Sequence, residues 1–97
     1  MRVIAKRTLR EFWGKFPDSE QALKAWHAEA EAAAWTSPAE IKAQYHNASI
    51  LKDSRVVFNI CGNKYRLVTK IDYRHGVVLI RFVGTHKQYD AVNAGEI

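Results

Sequence analysis

A chain of 97 residues, 47% hydrophobic and 11% aromatic, is the length of one domain and excludes a disordered polymer. Its longest apolar runs are only a few residues, too short to span a membrane, and its single cysteine, Cys61, excludes an internal disulfide or a thiolate zinc cluster. The net charge of +5 is lopsided: residues 1–45 hold seven basic and six acidic groups, residues 46–97 eight basic and four acidic, so the second half suits a polyanion, nucleic acid or an acidic protein segment.

In chain order, Arg2–Ala5 carries Val3 and Ile4 and reads as a short strand. From Lys6 to Lys15, Leu9, Phe12, Trp13 and then Phe16 recur at helical spacing, which predicts an amphipathic helix ended by Pro17. Asp18, with Gln21 three residues on, reads as a capping box opening a helix that runs to about Ala34, with Leu23, Trp26, Ala30 and Ala33 on one stripe. Ser37-Pro38-Ala39-Glu40 repeats that signal and starts a third helix, which carries Ile41 and Tyr45 and stops before Asn47.

The second half switches to period two. Arg55–Ile60, Lys64–Ile71 and Val77–Val83 read as strands, with Gly62-Asn63 as a two-residue hairpin turn and Arg74-His75-Gly76 as the second turn. That turn sets Ile60 opposite Tyr65, Asn59 opposite Arg66 and Phe58 opposite Leu67. One face then collects Phe58, Ile60, Tyr65, Leu67, Ile71, Val78, Ile80 and Phe82, the core side that the Trp-bearing helices must cover. The other collects Arg55, Asn59, Lys64, Arg66, Lys70 and Arg81 among Val57, Val68, Leu79 and Val83. A solvated sheet face is the ordinary account of such charge. Here like charges sit on adjacent strands, with only Asp72 near the edge to oppose them, which points to an anion site.

After the last strand comes Gly84-Thr85-His86-Lys87-Gln88-Tyr89-Asp90. Together with Val57-Phe58-Asn59-Ile60, Gly62-Asn63 and Tyr65-Arg66-Leu67-Val68, in this order and spacing, the chain resembles the HigB family of toxins within the RelE superfamily over nearly its whole length. The resemblance implies an α/β (α+β) fold, a single domain over residues 1–97, in which an N-terminal strand and helices pack on one face of a small antiparallel sheet whose open face binds RNA. It further implies an mRNA interferase that cleaves mRNA on the ribosome without a metal or cofactor. Its antitoxin partner would be a helix-turn-helix protein like HigA. A cytoplasmic location, with no membrane partner, fits the lone cysteine and the charges that interrupt Met1–Leu9.

Cleavage of this kind is attack of the 2′-hydroxyl on the adjacent phosphate. It needs a base, cations for the phosphorane, and an acid for the leaving 5′-oxygen. The resemblance puts Arg66 on the scissile phosphate, where a planar guanidinium can hold two oxygens. His86 is the acid–base candidate, because histidine titrates near neutrality; it supplies proton transfer, phosphate contact or both. Tyr89 either stacks on a base, donates a proton or packs the last segment. Asp90 orients His86, acts as a base or caps its turn. Asn59, Lys64, Lys87, Arg81 and Lys70 are candidate RNA contacts, and Arg55 lies among them. His27, on a helix, and His75, in a turn, read as structural, whereas His46 precedes the sheet and is able to approach the site; Cys61 has no matched base. Two other functions fit the same residues: a non-catalytic RNA- or ribosome-binding domain, and a module that only binds its antitoxin.

Overall fold

The computed structural model describes residues 1–97. Strand β1 (Arg2–Ile4) leads into helix α1 (Lys6–Lys15), a 3₁₀ turn at Pro17–Ser19, α2 (Glu20–Ala32) and α3 (Pro38–Gln44). Strands β2 (Ser49–Ile50), β3 (Arg55–Ile60), β4 (Tyr65–Asp72) and β5 (Val77–Thr85) follow, then the short helix α4 (His86–Asp90). The strands form one five-stranded sheet in the order β1-β5-β4-β3-β2. The expected β3-β4-β5 meander is its centre. The sheet is mixed, not purely antiparallel, because β1 returns beside β5 in parallel, and β2, absent from the sequence reading, edges β3.

The helices cover one face. Leu9, Leu23, Trp26, Ala30 and Ile41 are buried against Phe58, Ile60, Tyr65, Leu67, Ile71 and Val78. Phe12 stacks on Phe16 at 4.6 Å and meets the edge of Tyr65 at 5.2 Å, while Trp26, Trp35 and Tyr45 surround Phe58. Each fully buried large side chain contributes about 1.5–3 kcal/mol, so this face supplies the bulk of the hydrophobic stabilisation. His27 packs into it beside Glu31, with 3.2 Å between Nδ1 and Oε1.

Two helix starts differ from the expected caps. Asp18 does not cap α2: the 3₁₀ turn occupies its position, the helix begins at Glu20, and the Asp18 carboxylate reaches across to Lys64 and Tyr65. Before α3 the cap is shifted by one residue. The Ser37 hydroxyl caps nothing, whereas Glu40 Oε1 accepts from the Thr36 N–H at 2.5 Å and the Thr36 hydroxyl at 2.7 Å.

The hairpin register is as expected, with Ile60 opposite Tyr65, Asn59 opposite Arg66 and Phe58 opposite Leu67. Gly62 takes φ +67°, and the Lys64 N–H donates to the Cys61 carbonyl at 3.3 Å. Farther along, Val68 pairs with Phe82 but Thr69 pairs with Ile80, so Arg81 is the extra residue of a β-bulge. One inserted residue flips everything beyond it to the other face. Val83 therefore joins the core side with Leu67, and Phe82 the opposite side with Val68, the reverse of the alternation expected for these two residues.

The opposite face is not open along its whole length. Ala94 is buried on Val57 and Val68, with Leu51, Phe82, Tyr89 and Ile97 packed around them, and Arg55 Nε donates to the Ile97 carbonyl at 3.0 Å. The covered Val57–Val68 pair lies between the Asn59–Arg66 pair and the Arg55–Lys70 pair, so the segment after α4 divides this face into two ends.

Candidate active site

At one end, β4 presents Arg66 beside its cross-strand partners Asn59 and Gly84. Arg66 Nη1 donates to the Asn63 carbonyl at 2.9 Å and the Tyr65 carbonyl at 3.3 Å, and Nη2 donates to Asn63 Oδ1 at 2.9 Å. A guanidinium has five N–H groups. These three bonds leave Nε–H and one Nη2–H, a two-donor edge of the kind that grips a phosphate bidentately. The Arg66 guanidinium also lies 5.9 Å from the centroid of the Tyr89 ring, within cation–π range. Asn59, half-buried, is anchored weakly through Nδ2 to the Asn47 carbonyl at 3.5 Å.

Helix α4 is fixed by a capping box. The Gln88 N–H donates to Thr85 Oγ1 at 3.1 Å, and the Thr85 N–H donates to Gln88 Oε1 at 2.9 Å. This lock sets His86 and Asp90 four residues apart on one side of a single turn, where His86 Nδ1 meets Asp90 Oδ2 at 3.1 Å. The other ring nitrogen, Nε2, is left for a substrate. Gly84 permits the close approach: a Cβ there would stand 2.5 Å from the Phe82 ring and 2.9 Å from Gln88 Oε1, so a side chain would displace one or both.

His86, Lys87 and Lys64 line one depression of about 510 Å³ with Lys15, Phe16 and Asp18. Asp18 forms an ion pair with Lys64 and accepts from the Tyr65 hydroxyl at 2.5 Å. The bonds from Lys64 and Tyr65 hold the Asp18 carboxyl below its ordinary value, and Asp18 in turn raises the Lys64 ammonium and the Tyr65 phenol. Lys64 is therefore not the unopposed cation that the sequence suggested. Asn63 and Asp18 are the residues that sequence reasoning missed. One was read only as a turn former and the other only as a cap. The turn signal at Gly62-Asn63 could have raised the first; nothing local could have raised the second, whose partner lies 46 residues away.

Arg66, Tyr89 and Asn59 thus share one end of the face, with Lys64, His86 and Lys87 around an adjoining depression. Lys70 and Arg81 are not part of this group; they line a separate depression at the other end with Arg55. His46 lines a third hollow together with Asn59, and His75 is held in its turn by Asp72 at 2.9 Å. Cys61 is exposed, and its thiol lies 3.7 Å from the Asp18 carbonyl. Nowhere do three His, Cys, Asp or Glu side chains converge as a metal site requires. What the residues offer is a preset guanidinium edge, a carboxylate-paired imidazole and a stacking aromatic, a set suited to acid–base chemistry at a phosphate.

Residues 19–92 match the family described as HigB_toxin, the RelE-like toxic component of a toxin-antitoxin system. The chain is also 29% identical over 96 residues to the mRNA interferase toxin HigB of Escherichia coli, covering 97% of this chain and 92% of that protein. It is equally similar to the mRNA interferase HigB of Shigella flexneri, with the same identity and coverage.

Proposed function

Because the chain belongs to the HigB family of RelE-like toxins, we propose that it acts as an mRNA interferase, the toxic component of a toxin–antitoxin system. Its substrate is RNA and its partner is an antitoxin. The mRNA interferases of Escherichia coli and Shigella flexneri, similar over nearly the full length, support the activity. The single observation that carries the chemistry is the Arg66 guanidinium, held by Asn63 and Tyr89 with its Nε–Nη2 edge unused, on the same end of the sheet as the His86–Asp90 pair.

In the proposed reaction the 2′-hydroxyl gives up its proton and attacks the neighbouring phosphorus. The P–O5′ bond breaks and the leaving 5′-oxygen takes up a proton, which yields a 2′,3′-cyclic phosphate and a 5′-hydroxyl end. Arg66 holds two non-bridging oxygens as they gain charge in the phosphorane. His86 moves a proton through Nε2, with Asp90 fixing the ring through Nδ1 and favouring the imidazolium when it forms. Tyr89, beneath the guanidinium, supplies an aromatic plane for a base; such stacking contributes roughly 1–3 kcal/mol per base. Lys64 and Lys87 add phosphate contacts beside His86, and Asn59 a hydrogen-bonding edge beside Arg66. Asn59 is the sole uncharged amide among these candidate contacts, so base identity is weakly read and the ribosome would position the message. The antitoxin would be a helix-turn-helix protein of the HigA type.

Induction of the chain without its antitoxin tests this. The expected result is growth arrest with truncated transcripts, mapped by primer extension. Intact transcripts in cells that accumulate the folded protein would overturn it.

A further inference from the structure

Beyond the cleavage site, the far end of the same sheet face holds a second concentration of positive charge. A depression of about 560 Å³ is lined by Arg55, Lys70, Arg74 and Arg81, with Asp72 and Tyr73 among its walls. Internal partners do not account for this charge. Asp72 is taken by its own turn, accepting from the His75 N–H at 3.0 Å and meeting His75 Nδ1 at 2.9 Å. Arg55 is held by the Ile97 carbonyl and, at 4.0 Å, by Asp53. Lys70, Arg74 and Arg81 are exposed, and their side chains make no hydrogen bond or ion pair within the chain.

Two local irregularities build this hollow. The β-bulge leaves Arg81 as the unpaired extra residue, and bulges re-aim side chains next to functional sites. On the facing loop, Asp53 and Ser54 are successive non-glycine residues with φ of 56° and 62°, and Ser54 lines the depression. A left-handed residue with a side chain costs about 1–2 kcal/mol, a cost that clusters at binding sites.

We propose that this depression is a second anion site, which holds backbone phosphates of RNA outside the reacting dinucleotide. It rests on the reading of the chain as an RNA-cleaving toxin. Lys70 lies four residues beyond Arg66 on β4, about 13 Å at strand rise, so a strand whose scissile phosphate sits on Arg66 must run on to reach it. Arg74 and Arg81 offer planar forks for phosphate oxygens. An acidic protein segment is the poorer fit, since a docking peptide anchors on exposed apolar side chains, and the large exposed ones, Ile4 and Ile50, lie outside this depression.

The test compares wild type with the double variant Arg74→Ala, Arg81→Ala, both positions exposed and outside the cleavage site. Affinities for 4-nucleotide and 20-nucleotide single-stranded RNA are measured by fluorescence anisotropy over a salt series, and affinity for purified small ribosomal subunits is measured alongside. The double variant should melt with wild type and bind the 4-mer within twofold, yet bind the 20-mer at least tenfold more weakly. Its log–log salt slope for the 20-mer should fall by about 1.4, or 0.7 for each lost phosphate contact. A loss seen only on ribosomal subunits would assign the phosphates to ribosomal RNA and uphold the site. Unchanged affinity for the 20-mer and for the ribosomal subunits alike overturns it, as does an equal loss on the 4-mer. Failure of the toxin reading is separate: wild type itself would then leave RNA uncut.

Discussion

The two ends of the face opposite the helices carry similar charge and commit it differently. At the Arg66 end the side chains proposed for the reaction are held in place: Arg66 by Asn63 and the Tyr89 ring, Lys64 by Asp18, and the His86 ring by Asp90. At the far end the side chains of Lys70, Arg74 and Arg81 have no partner within the chain, and Ala94 on Val57 and Val68 separates the two groups. A charge fixed before the substrate arrives costs no reorganisation in the transition state, which is what catalysis uses. A free charge on a flexible stem can follow whatever phosphate comes near, which serves binding and its salt dependence. The near end should therefore be sensitive in rate, and the far end in affinity.

The sharpest break in that comparison is His86→Gln. It keeps a polar side chain at an exposed position but removes the proton carrier, so cleavage should fall by roughly 10²–10⁴-fold with RNA affinity and Tm unchanged. Single-turnover cleavage beside anisotropy checks it. Cleavage near the wild-type rate would pass the proton to Tyr89 or Asp90. Arg66→Ala comes next, with a loss of roughly 10²–10³-fold, the usual result of deleting one donor to a developing oxyanion. Its three hydrogen bonds, two to Asn63 in the turn and one to the Tyr65 carbonyl, make it more than a bare surface residue, so stability should drop by about 1 kcal/mol as well. Arg66→Lys should recover part of the rate at most, because a point charge has no two-donor edge. Equal rates for all three proteins would remove Arg66 from the reaction.

Much of this arrangement was legible in the sequence, because hairpin chemistry is local. Gly62-Asn63 fixed the pairing of Asn59 with Arg66, and the motif after the last strand singled out His86, Tyr89 and Asp90, which the structure winds into helix α4. The bulge at Arg81 was not legible, since Phe82 and Val83 are both apolar and either fits the core side. Nor was the division of the face, because Ala94 and Ile97 carry no periodicity that marks them as a cover. Asp18 was misassigned because its spacing to Gln21 satisfies a local pattern, while its actual partners, Lys64 and Tyr65, come from another part of the chain.

Asn63→Ala probes how tightly the near end must be held. It removes the Oδ1 acceptor from Arg66 Nη2 but leaves the Asn63 carbonyl on Nη1. Losing one such bond, with a net contribution of about 1 kcal/mol, should lower the cleavage rate about fivefold while leaving KM and Tm near wild type. A fall in Tm without a fall in rate would make Asn63 a turn former only.

The smallest effect is expected from Asp18→Asn, and its sign depends on what is measured. Asp18 is pulled below its ordinary value by the hydrogen bonds from Lys64 and Tyr65, so its stabilisation is present above the unfolded pKa of about 3.9 and is lost as pH falls through the lower folded value. Lys64 is shifted upward by Asp18, so its share is present below the ordinary lysine value and is lost as pH rises through the raised one. The pair is consequently intact across the neutral range. At pH 7 the variant should melt slightly below wild type, by little, since the Lys64 and Asp18 side chains are 59% and 46% exposed and solvent screens the pair. The gap should begin to shrink on acidification below about pH 4, where Asp18 of the unfolded chain takes up a proton, and should close as pH falls through the lower folded value. RNA binding should move the other way. Freeing Lys64 from its carboxylate removes a negative charge beside His86 and Lys87, so affinity should rise modestly at low salt and converge with wild type at high salt. Melting curves from pH 3 to 8 and anisotropy at two salt concentrations read both effects. A gap in Tm that does not narrow at all between pH 5 and pH 3 would mean that Asp18 acts through packing of the Pro17–Ser19 turn and not through its charge. Unchanged RNA affinity would mean that Lys64 never meets the phosphate backbone.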